Sequence, residues 1–194
     1  MPSSSEEPVS RLPRLSEHPD NPDLAAAFDA IRARGGELIN LHLTLGHAPK
    51  IFKARLGLSY ALRHDAVTPR RLRELVILRT AQLGGSEYEL AQHIPVARQC
   101  GISQAQLDGL AGDWRREGLF DARERALLAH VDQLVGNNGR VDDATFAELM
   151  RHFGPEEIVE LTITATHYVT TGLLTRSLGI KPEADGRNAM GGKV

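Results

Sequence analysis

Apolar residues recur at three- and four-residue intervals along most of this chain, the spacing that lines one face of an α-helix. Leu24, Phe28 and Ile31 set the pattern after Pro22, and Gly35-Gly36 ends it. The segment from Glu37 to Gly46, ELINLHLTLG, alternates apolar and polar positions, so a strand and a helix both stay open there. Pro49 opens a helix through Ile51, Leu56 and Tyr60 to about Arg63. Thr68 followed by Pro69 predicts an N-cap and first-turn residue for a helix from Pro69 to Leu83. Its apolar side carries Leu72, Leu75, Val76 and Leu83. After Gly84-Gly85 a second helix is expected from Ser86 to Gly101, the glycine serving as a left-handed C-cap.

Ser103 with Gln106 reads as a capping box opening a short helix to about Leu110. A linker from Gly112 to Phe120, polar apart from Trp114, leads to Asp121 and Glu124, which start another helix reaching Gly136. NNGR is a turn, Asp142 caps a helix to about Phe153, and Gly154-Pro155 opens the long last one. That helix carries Ile158, Leu161, Ile163, Val169 and Leu173 and ends near Gly179. No segment has the strand and turn signals a sheet needs. The expected fold class is all-α, a single-domain helical bundle around a core hairpin at about 69–101. RELVILRTAQLGG at 73–85 also resembles ERALLAHVDQLVG at 124–136, a faint internal echo of two helical hairpins.

Composition adds boundaries. Residues 1–20 are rich in Ser, Pro and Glu and read as a flexible arm; 21–180 form the helical domain; the last stretch, 181–194, reads as a flexible tail. With 25% charged and 41% hydrophobic residues, the 194-residue chain has the make-up of a soluble globular protein. Its 23 basic and 25 acidic side chains leave a net charge of −2, which gives no footprint for nucleic acid or an anionic membrane surface. Arg70, Arg71 and Arg73 form a short basic run without interleaved aromatics, read as a solvated helix face. The chain has no apolar run near the length of a membrane span, and its start has no signal-peptide core. Cys100 is the single cysteine, so no disulfide forms within the chain, which fits a reducing cytoplasm.

Candidate chemistry gathers around the Gly84-Gly85 turn. Glu89 and His93, four apart, share one face of the second helix, and the hairpin can bring Glu74 from the first helix beside them. A carboxylate favours the protonated ring while burial opposes it, so such a group can exchange a proton near neutral pH. The bland reading is an ordinary helical Glu–His pair, and Ser86 with Glu89 also spells a capping box that would occupy Glu89. Tyr88 is a pocket donor or a packing aromatic. Cys100, seven residues past His93, lies on nearly the same side and is a pocket residue or a small core residue. The other histidines lack ligand spacing, and Glu89 with His93 does not match the Glu-x-x-His of di-iron bundles, so no metal site is expected.

Glu74, Ser86, Glu89 and His93 in the frame E-x11-S-x-x-E-x-x-x-H resemble the carboxymuconolactone decarboxylase and alkylhydroperoxidase D superfamily. The similarity extends loosely from about Asn40 to Ile180. In that superfamily's redox branch the frame is a Glu, a C-x-x-C and a His four residues on. Here Ser86 and Glu89 fall on the two cysteine positions. Without a thiolate to attack peroxide and a second to resolve the sulfenic acid, thiol peroxidase chemistry by that route is excluded, and Cys100 has no resolving partner.

The resemblance to the cysteine-free branch implies a cofactor-free decarboxylase or proton-transfer enzyme acting on a small carboxylate or lactone. It assigns His93 as proton donor, Glu74 as its orienting partner and Glu89 as a second acid or base, or simply the cap. Arg79 is the guess for a cation beside an anionic substrate. The resemblance also implies homo-oligomers. The rival readings are a redox protein dependent on Cys100 and a non-catalytic oligomeric helical module in which His93 is structural.

Overall fold

The computed structural model describes residues 9–187 and 189, and among these there are helices, turns and no strand. Residues 1–8 of the expected arm, and 188 and 190–194 of the expected tail, lie outside the described residues. The helices are α1 (Pro22–Ala33), α2 (Asn40–Leu45), α3 (Pro49–Tyr60), α4 (Arg70–Leu83), α5 (Glu87–Gln99), α6 (Gln104–Ala111), α7 (Ala122–Gly136), α8 (Asp143–His152) and α9 (Pro155–Ser177). A π-helical turn, Ala61–Asp65, follows α3. No helix among the described residues is long and apolar enough to cross a membrane.

The described chain packs as two compact units, one of residues 9–58 with 174–187 and 189, the other Ser59–Leu173. In the first, Phe28 and Phe52 meet edge to face at 6.0 Å, and the His42 ring lies 5.8 Å from Phe52. The Arg11 amide donates to the Leu178 carbonyl and the Lys181 amide to that of Val9, so the segments flanking the helices run side by side. The alternating stretch after Gly36 resolves into α2, a single short helix preceded by extended backbone at Ile39. Leu38, Ile39 and Leu43 are all buried, so the alternation reflects one amphipathic turn and its entry.

The second unit is built around α4. α5, α6 and α7 all pack on it, and α8 packs on α7. The two hairpins suggested by the internal echo therefore exist as α4–α5 and α7–α8. Leu72, Leu75, Val76 and Leu78 of α4 join Leu127, Leu128 and Val131 of α7 and Leu161 of α9 in the main core. Nine consecutive or near-consecutive residues of α4, from Leu72 to Ala81, are buried, the polar Arg73, Glu74 and Thr80 among them. A helix covered on nearly every side has no solvent face for its charges, so each must find a partner inside.

Local signals set most helix starts. Ser86, Ser103, Asp121 and Asp142 each accept a hydrogen bond from the backbone three residues on. Thr68 does not act in this way. Pro69 stands at the cap of α4 without a side-chain bond. The Val67 and Thr68 amides instead donate to the Glu160 carboxylate of α9, at 2.7 and 2.9 Å, and the Thr68 hydroxyl accepts from Arg73. Glu160 thus anchors the stretch that leads into α4, and no side chain caps the helix itself. Glycine is required at Gly85 and Gly101, where φ is +62° and +79°, because the hairpin turn and the end of α5 both pass through left-handed backbone.

Candidate functional site

The α4–α5 hairpin brings Glu74, Glu89 and His93 together, all of them buried. Glu74 Oε2 lies 2.9 Å from His93 Nδ1. The other oxygen, Oε1, accepts from Arg70 Nε at 2.7 Å and lies 2.5 Å from Arg70 Nη2. Burial alone would push the Glu74 carboxyl upward, but the charges and hydrogen bonds of His93 and Arg70 outweigh it and hold the group below its ordinary value. Glu74 is therefore ionised at neutral pH, and an ionised carboxylate can only accept. The proton in the Glu74–His93 bond belongs to Nδ1.

That assignment fixes what the other side of the ring does. His93 Nε2 faces Glu89 Oε2 at 3.6 Å, across one turn of α5. If both groups were deprotonated, a lone pair would point at a carboxylate, which is repulsive. This geometry allows one proton to be shared between Nε2 and Glu89. Ser86 Oγ accepts from the Glu89 amide at 3.4 Å, so Ser86 caps α5 through its side chain while the Glu89 carboxylate is turned toward the ring.

Two groups beside the Glu74–His93 pair are not among the site residues read from the sequence. Arg70, one turn before Glu74, belongs to the basic run read as a solvated face. The structure corrects that reading: Arg70 binds Glu74, Arg71 binds Glu124, the Gly101 carbonyl and Gln106, and Arg73 binds Thr68 and the Arg63 carbonyl. Tyr168 of α9 sets its ring edge-on to His93 at 4.9 Å and to His167 at 5.4 Å. Burial pushes its phenol well up, so it stays protonated and serves as a donor. The i, i+4 spacing of Arg70 and Glu74 was a usable clue. Nothing in the sequence tied Tyr168 to a residue 75 positions earlier.

Leu62, Arg63, Arg70, Arg73, Ile77, Thr164 and Tyr168 line a narrow crevice that, as it stands, has no room for a water molecule. The polar groups it offers from Arg63, Arg70, Arg73 and Tyr168 are all hydrogen-bond donors. Buried Arg73 Nε has no hydrogen-bond partner. Such a lining suits an acceptor-rich or anionic group.

Arg79 is not the cation at this site. Five residues past Glu74 it points elsewhere on α4, where Nε meets Asp132 Oδ1 at 2.5 Å and Nη1 donates to the Leu110 carbonyl. Asp132 Oδ2 also accepts from Trp114 Nε1 and from Arg115, both at 3.0 Å. Asp132→Ala would leave the Arg79 charge and the buried indole N–H without their acceptor, and is expected to cost about 3 kcal/mol of stability. Urea unfolding checks this, with activity per folded molecule expected to be unchanged.

Tyr88 is buried in α5. Cys100 caps the end of α5, half-buried. Burial first, then the Glu74 charge, raises its thiol above the ordinary value against the pull of Arg70, Arg73 and Arg71. It is a protonated, weakly nucleophilic thiol at neutral pH. Among the described residues no three His, Cys, Asp or Glu side chains are grouped to hold a metal ion.

Residues 49–133, a span containing Glu74, Ser86, Glu89 and His93, match the model of the Carboxymuconolactone decarboxylase family. No curated protein matches the chain in sequence. An uncharacterized peroxidase-related protein from Ralstonia eutropha JMP134, described as an alkylhydroperoxidase AhpD core, is similar over 97% of this chain and 99% of its own, with a TM-score of 0.76 and 23% identity. A peroxidase-related protein from Silicibacter sp. TM1040 covers 94% of this chain and 96% of its own, at TM-score 0.78 and 17% identity. The debrominase Bmp8, solved as a variant with 2,3,4-tribromopyrrole, covers 95% and 96%, at TM-score 0.75 and 20% identity. At these identities the likeness is one of fold.

Proposed function

From the match of residues 49–133 to the carboxymuconolactone decarboxylase family model and the alkylhydroperoxidase D-like fold, we propose that the chain is a cofactor-free acid–base enzyme that decarboxylates a small carboxylate or lactone. The observation that carries this reading is the line Arg70–Glu74–His93–Glu89, in which one side of a buried imidazole is fixed and the other faces a second carboxyl group.

In the proposed reaction the substrate's carboxylate lies against the donor-rich crevice. Carbon dioxide leaves, and the electrons of the broken C–C bond pass into the unsaturated lactone as an enolate. Arg63 or the Tyr168 phenol supplies hydrogen bonds to the enolate oxygen. His93 delivers its Nε2 proton to the carbon, and Glu89 or solvent replaces it. Glu74 keeps Nδ1 protonated and the ring in register, and Arg70 holds Glu74. The crevice is too tight for this as it stands, so substrate entry requires Arg63 or Tyr168 to swing aside. A reducing cytoplasm suits the lone Cys100. The test is carbon dioxide release by the natural protein from carboxymuconolactone and from other small unsaturated lactones bearing a carboxylate. Release from none of them would overturn the reading.

The thiol alternative finds little support, because burial and Glu74 hold Cys100 in its protonated form. Cys100→Ser is expected to leave turnover within about twofold, since a raised thiol gains little thiolate near pH 7. A loss of turnover in that variant would favour the redox reading. Bonding of His93 to the Glu74 carboxylate rather than to backbone supports the acid–base reading over a purely structural His93.

A further inference from the structure

Arg73 of α4 is only 5% exposed, and its hydrogen-bond acceptors among the described residues are all neutral oxygens. Nη1 donates to the carbonyl and the hydroxyl of Thr68, and Nη2 to the Arg63 carbonyl at 3.3 Å. Nε has no partner. The carboxylates whose charges reach it, Glu160 and Glu74, are committed elsewhere. Glu160 takes the Val67 and Thr68 amides, and Glu74 takes Arg70 and His93. Burial, and after it the charge of Arg70, work against the protonated guanidinium. A buried charge without a counter-charge in contact is costly, and an anion that reaches it removes that cost.

The geometry says how an anion would sit. Nε and Nη2 share one edge of the guanidinium, the fork that receives a carboxylate side-on through two parallel hydrogen bonds. Here one prong is empty and the other holds a neutral carbonyl at a length beyond the usual range. That carbonyl belongs to the π-helical turn Ala61–Asp65, whose Leu62 and Arg63 close over the crevice. Turns of this kind are rare and recur at functional sites. The stretch just after it is pinned by Glu160, so the turn can give at Arg63 while Thr68 stays in place and keeps Nη1. A charge-assisted bond is roughly twice as strong as a neutral one, so a carboxylate outcompetes the Arg63 carbonyl for Nη2. Leu62 and Ile77 offer apolar walls to a carbon skeleton, and Tyr168, in the same crevice, stands edge-on to His93.

We propose that Arg73 seats a carboxylate of the ligand on its Nε–Nη2 edge, and that this carboxylate opens the sealed crevice by displacing the Arg63 carbonyl. The proposal deepens the decarboxylase reading and rests on it for the identity of the substrate. The test follows the arginine Nε–H signals of the full chain by NMR. The titrants are crotonate, a small unsaturated carboxylate, and crotonamide, its uncharged counterpart. The Arg73 signal is identified by its loss in Arg73→Lys. Crotonate should shift that signal saturably and move the backbone amides of 61–65, and crotonamide should do neither. Arg73→Lys, which keeps the charge without the fork, should bind crotonate about tenfold more weakly. An unmoved Arg73 signal, static 61–65 amides, the same shifts with crotonamide, or undiminished binding by the variant would each overturn the proposal. Should Arg73→Lys fail to fold, the titration of the natural protein decides alone, with the signal assigned through the Arg73 backbone amide. Crotonate seated on Arg73 with no carbon dioxide from any lactone would remove the decarboxylase reading and leave the seat standing. Carbon dioxide release with an unmoved Arg73 signal would do the reverse.

Discussion

Glu74→Ala is expected to destabilise the folded protein by about 3–5 kcal/mol, the usual cost of removing one member of a buried ion pair. Glu74 is completely buried and serves two donors at once, Arg70 through Oε1 and His93 through Oε2. Removing it leaves two positive or proton-bearing groups in the interior without the acceptor that justified burying them. The measurement is the denaturant midpoint at neutral pH, with an unchanged slope showing that stability alone has moved. Glu74→Gln should fall between, keeping the volume and one acceptor oxygen but losing the charge.

The pH dependence has a definite sign. The Glu74 carboxyl is held below its ordinary value of 4.5 in the folded state. Its contribution is therefore fully present above that value and is lost as pH falls through the folded-state value. The stability gap between the natural protein and Glu74→Ala should narrow on the acid side of 4.5. A gap that widened there would show that burial, rather than His93 and Arg70, dominates this carboxyl.

His93→Gln is expected to lower kcat by about 10²–10⁴-fold, the range a positioned general acid contributes. Glutamine keeps a donor for Glu74 and much of the ring's volume, so the hairpin should fold normally. It has no proton to release near neutral pH. The discriminating feature is the split between constants: KM should change little, because the proposed contacts to the substrate carboxylate come from the arginine-lined crevice. A large rise in KM with kcat preserved would make His93 a binding residue.

How far the sequence reached depended on distance along the chain. Caps at Ser86, Ser103, Asp121 and Asp142 were legible because donor and acceptor lie three residues apart. The same local logic failed at Thr68, which caps nothing: Pro69 is the cap residue of α4, and the Thr68 amide donates to Glu160, 92 residues away. Within the candidate site, the Glu89–His93 spacing and the reach of Glu74 across the hairpin followed from helix geometry. Arg70 was misread because a run of arginines looks solvated until α4 is known to be buried nearly all round. Arg79 was misplaced because the position of Asp132 depends on how α7 packs against α4. Tyr168 was invisible for the same reason: edge-to-face contact leaves no periodic trace in a sequence.

The central claim is that His93 supplies the proton that quenches the enolate left by the departing carboxylate. The direct measurement is decarboxylation of carboxymuconolactone in D₂O by the natural protein and by His93→Gln, following carbon dioxide and deuterium in the product together. The natural protein should release carbon dioxide and place one deuterium on a carbon of the conjugated enolate left behind, while the folded variant does neither at a comparable rate. Carbon dioxide release by His93→Gln at the natural rate, with the same labelling, would contradict it.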